Sequence, residues 1–87
     1  MITIETLDGE TYKVTVTGTA TTTHMVTVKE SYYHKLTGGR VPVEELIQKS
    51  FEFLLERESN TSILSRFDLP IIGHYFPEYE STIIHNF

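Results

Sequence analysis

The chain has 87 residues, 39% hydrophobic and 22% charged, with five Tyr, five Phe, no cysteine and a net charge of −5. This is the composition of one small globular α+β domain, and it excludes disulfides, thiol chemistry and cysteine-ligated metal sites. No apolar run exceeds three residues, which leaves no material for a transmembrane helix or a secretory leader and makes the cytoplasm the expected address.

The chain opens on Ile2 and Ile4, a first strand at about 2–6. Threonine then fills every odd position from Thr15 to Thr23, while Tyr12, Val14, Val16, Val26 and Val28 hold even ones. Period two predicts one apolar face and one hydroxylated face. A single strand over 11–29 would be too long, so the small polar stretch Gly18–Thr22 is read as a turn between strands at about 11–17 and 23–29. In the first hairpin, a two-residue Asp8-Gly9 turn would pair Ile4 with Lys13 and put the isoleucines on the polar face. A three-residue bulged loop with Gly9 left-handed pairs Ile4 with Tyr12 and Ile2 with Val14, and is the expected turn.

Beyond the strands, Tyr32, Tyr33 and Leu36 suit a short helix capped near Ser31 and stopped by Gly38-Gly39. A long helix is predicted from Pro42 to about Glu58, with Glu44 and Glu45 at the positive end of its dipole and Asn60 as its stop. Its apolar arc spans about 200°, whereas packing on one side needs about 100°. Phe53 and Leu55 therefore sit on opposite flanks that a lone sheet leaves wet. Short helical segments follow at about 62–67 and 69–76, with Asp68 as a cap and Pro77 as a stop. Past Glu80 no pattern is clear, although Ile83, Ile84 and Phe87 are too apolar for a solvated end. The expected fold is α+β: a three-stranded antiparallel meander packed by one long helix, with a short helical C-terminal extension.

Among chemical constellations, Gly38-Gly39-Arg40 ahead of a helix is the best small-anion candidate. Glycines free the backbone for an amide nest, and Arg40 can grip an oxyanion such as a phosphometabolite. Glu44 and Glu45 oppose it, and the spacing matches no nucleotide-binding fingerprint. The four histidines, His24, His34, His74 and His85, lack ligand spacing, so no metal is expected. No cofactor motif, nucleophile elbow or paired-acid signature is present, which favours a non-enzymatic role. Asn60-Thr61-Ser62 matches a glycosylation sequon but reads as a helix stop followed by a cap. Residues 44–87 hold eight acids against three bases and so carry the whole net charge; without clustered Lys and Arg, nucleic acid is a poor partner. The wide helix arc and the aromatic tail instead favour a protein partner or a second copy. Phe53, Leu55, Tyr75 and Tyr79 are the candidate contact residues of such a homodimer.

Overall fold

In the computed structural model, which describes residues 1–87, strands β1 (Ile2–Thr6) and β2 (Thr11–Thr17) have the expected bounds. Leu7 N–H, however, donates to Thr11 C=O (2.9 Å), and the turn lies over Asp8-Gly9-Glu10, one residue on from the bulged Leu7-Asp8-Gly9 loop expected. Asp8 is the reason. Its carboxylate accepts the N–H groups of Glu10 (3.0 Å) and Thr11 (2.9 Å), folding the loop without a left-handed Gly9. The same two bonds, Glu10 first, hold the Asp8 carboxyl below its ordinary pKa. Ile4 thus pairs with Val14 and Ile2 with Val16, two residues from the expected register. A slip of two keeps every side chain on its face, so the isoleucines still join the apolar side. The second hairpin is tighter than expected, with Thr17 facing Thr21, and β3 runs Thr21–Thr27.

Helix α1 (Glu30–Thr37) follows an uncapped start at Lys29, and Ser31 lies inside it. Helix α2 (Val43–Leu55) begins one residue after Pro42 and ends three before Glu58. Arg57 folds back at that end and donates to the Phe53 carbonyl at 2.9 Å, taking a backbone acceptor of the last turn.

The segment expected to be helical at 62–67 is a single turn at Asn60–Ser62 followed by extended chain. That chain enters strand β4 (Arg66–Asp68), which pairs parallel to β3. The sheet is therefore four-stranded and mixed, in order β1-β2-β3-β4, rather than a three-stranded antiparallel meander. Long-range partners override the local pattern. His24 Nδ1 donates to the Leu64 carbonyl (2.7 Å), Met25 N–H to Ser65 (2.8 Å), and Leu69 N–H to Thr27 (2.9 Å). Those backbone groups serve β3 in place of an i→i−4 ladder. Of the segment at 69–76 only α3 (Ile71–Tyr75) is helical, and α4 (Tyr79–Ile84) forms where no pattern was legible.

One sheet face carries Tyr12, Val14, Val16, Val26 and Phe67, and α2 covers it with Leu46, Ile47, Phe51 and Leu54. The opposite face is uncovered and carries Thr3, Lys13, Thr15, Thr23, Arg66 and Asp68. Helices α3 and α4 turn back onto α2. Phe53 meets the rings of Tyr79 at 5.3 Å and Phe76 at 6.0 Å, with the Arg57 guanidinium 3.5 Å above it, and is only 4% exposed. The flank that was expected to stay wet is roofed by the chain's own tail; Leu55, on the other flank, is half-buried. No helix is long and apolar enough to cross a membrane.

Candidate functional site

The Gly38–Arg40 loop closes on itself. Gly38 (φ 66°) stops α1 and its N–H donates to His34 C=O at 2.8 Å. Gly39 N–H donates to Thr37 Oγ1 at 3.0 Å and Arg40 N–H to Thr37 C=O at 3.3 Å. All three amides are engaged, so the loop presents no open nest, contrary to the anion-site expectation. Glycine is needed here for close approach: a Cβ on Gly39 (φ 75°) would stand 3.0 Å from His34 Cε1. The exposed Arg40 guanidinium lies beside Gly38 and joins no ion pair.

Interior polar groups bind elements to one another. His24 is buried, and because the Leu64 carbonyl can only accept, Nδ1 carries its hydrogen. Nε2 then accepts from Thr22 Oγ1 (2.8 Å), which in turn accepts from Asn60 Nδ2 at 3.0 Å. Asn60 Nδ2 also donates to Ala20 C=O at 2.8 Å, so the sequon nitrogen clamps the β2–β3 turn instead of stopping α2. Under α2, the Tyr79 hydroxyl meets Ser50 Oγ at 2.7 Å, and Ser50 donates to Leu46 C=O at 2.7 Å. Burial raises the Tyr79 phenol well above its ordinary pKa. Between α1 and α4, Tyr32 OH donates to Glu80 Oε2 (2.7 Å), and Lys35 Nζ lies 3.2 Å from Oε1. Desolvation, then this hydrogen bond, raises Tyr32; the bond from Tyr32, ahead of Lys35, holds the Glu80 carboxyl low. No group of three His, Asp or Glu gathers in metal-holding geometry.

The contact candidates divide. Phe53 and Tyr79 are core residues, at 4% and 0% exposure, and are corrected as such. Their apolar area serves the fold. Tyr75, at the end of α3, is 62% exposed and its ring stands against His74 at 5.6 Å. Tyr75 borders an open apolar groove between α2, β4 and α3, lined with it by Leu54, Ile63, Leu64, Phe67 and Ile72. Leu64, 47% exposed, was missed because the segment was read at helical period. Alternation holds only from Arg66 onward, where Phe67 and Leu69 are buried and Arg66 and Asp68 exposed; Leu64 and Ser65 are both exposed, so the run is too short to show as period two. Comparison with family models, curated proteins and solved structures finds no match for this chain.

Proposed function

We propose that the chain is a non-catalytic protein-interaction module that self-associates through the apolar groove around Tyr75 and Leu64. The observation that carries this reading is the grouping of two large exposed apolar side chains on one groove, flanked by an unpaired sheet edge. A rigid aromatic beside such a groove is the kind of anchor that dominates protein contacts. The buried hydroxyls and the buried imidazole, the natural raw material for chemistry, are engaged in tying elements together. The acidic C-terminal half adds solubility to a surface that is otherwise apolar at this point.

Sedimentation velocity over a dilution series tests the proposal. Self-association is expected, weakened about tenfold or more by Tyr75→Ser and by Leu64→Ser. A chain that stays monomeric at millimolar concentration, or a dimer indifferent to both substitutions, overturns it.

A further inference from the structure

Strand β4 ends the sheet, and its free edge has an uncommon symmetry. Ser65 C=O and Leu69 N–H both point to β3, accepting from Met25 and donating to Thr27. Alternation along the strand therefore turns the N–H and C=O of Arg66 and Asp68 outward, and no other element pairs with β4. Both side chains are exposed on the uncovered face, and neither enters an ion pair. They stand one on each side of Phe67 with opposite charge.

We infer that β4 pairs antiparallel with β4 of a second copy of this chain about a two-fold axis at Phe67. In that register Arg66 faces the second copy's Asp68 and Asp68 faces its Arg66. Those are the residues whose backbone groups point outward, so each pair exchanges two N–H···O=C bonds, with Cα atoms about 5.5 Å apart. The same pairs set a guanidinium opposite a carboxylate on one face of the sheet, twice. An edge carrying two charges of one sign repels its copy; one carrying both signs about its centre attracts it. Parallel pairing would oppose Arg66 to Arg66 and is disfavoured. The other sheet edge, β1, carries Glu5 as its single charged side chain and has no such complement. On the helical side, Phe67 lines the groove with Leu64 and Tyr75, so the axis brings two grooves together and covers both. The inference rests on the self-association proposed above and names its surface and register.

Charge exchange separates the two. Sedimentation velocity on the full chain is expected to show at least about tenfold weaker dimerisation for Arg66→Asp and for Asp68→Arg, each of which places like charges in both pairs. The double variant Arg66→Asp/Asp68→Arg, and an equimolar mixture of the two single variants, are expected to recover the dimer. Recovery in the mixture also demonstrates that the single variants are folded. A dimer that is lost on Tyr75→Ser yet indifferent to both charge reversals, or one that the double exchange does not recover, overturns the β4 pairing and leaves self-association standing. A wild-type chain that stays monomeric overturns both.

Discussion

Tyr32 and Glu80 form a pair whose pKa values move in opposite directions: desolvation first, then their hydrogen bond, raises the phenol, and the same bond lowers the carboxyl. The phenol donates to a carboxylate, so the bond exists only while Tyr32 is protonated and Glu80 is ionised. For Glu80 the folded pKa lies below the ordinary 4.5, so folding releases protons and stability falls as pH drops from that value through the folded one. For Tyr32 the folded pKa lies above the ordinary 10.0, so its contribution is complete below pH 10 and is lost as pH rises further. Glu80 is partly exposed, which limits the bond to about 1 kcal/mol after solvent screening. Urea midpoints measured across pH should fall at both ends for the wild-type chain. Glu80→Gln should flatten part of the acid limb, and Tyr32→Phe should flatten part of both. Parallel profiles for all three proteins would show that the pair does not couple α1 to α4. Residues 32 and 80 had no legible relation in the sequence, because a hydrogen bond across 48 positions leaves no local periodicity. The same holds for Tyr79 and Ser50. Sequence patterning read Tyr79 as a contact residue because it could not place the hydroxyl, whose partner lies 29 positions away, and that hydroxyl belongs to the interior.

At the scale of elements, what was legible was face, and what was not was register and partner. The alternation of Tyr12, Val14 and Val16 with threonine fixes which side of the sheet is apolar whether Ile4 meets Tyr12 or Val14. The carboxylate of Asp8 decides where the loop turns, and hydrophobicity does not register it. Strand β4 is harder to read, since three residues give too short a run to distinguish alternation from a helical turn. Its docking depends on the Asn60 clamp on the β2–β3 turn and on the His24–Leu64 bond. Asn60→Ala should therefore cost about 1–2 kcal/mol, from lost hydrogen bonds and a partly orphaned Ala20 carbonyl. The loss should be local first. Amide exchange should quicken most at Met25 and Leu69, whose N–H groups tie β3 to the β4 segment, before the β1–β2 amides respond. A uniform change across the sheet would mean that Asn60 contributes to global stability without holding β4.

Across the whole molecule, a wide apolar arc on α2 had two possible covers, a second chain or the tail of its own. The tail takes one flank completely. Helix α4 inserts Tyr79 and Ile83, at 0% and 1% exposure, into the same core that holds Phe53, Leu46 and Val14. The C-terminal residues are therefore structural, and association, as proposed here, belongs to the β4 side of the molecule instead of the α2 flank. Removing residues 77–87 withdraws two fully buried side chains, each contributing about 1.5–3 kcal/mol of burial, and uncovers Phe53 as well. A domain of this size holds about 5–10 kcal/mol in total. The truncated chain should consequently lose its cooperative transition altogether, with near-ultraviolet dichroism and tyrosine fluorescence collapsing together as a single core fails. Retention of a sharp unfolding transition, lowered by less than about 1 kcal/mol, would show that α4 rests on the domain without belonging to its core.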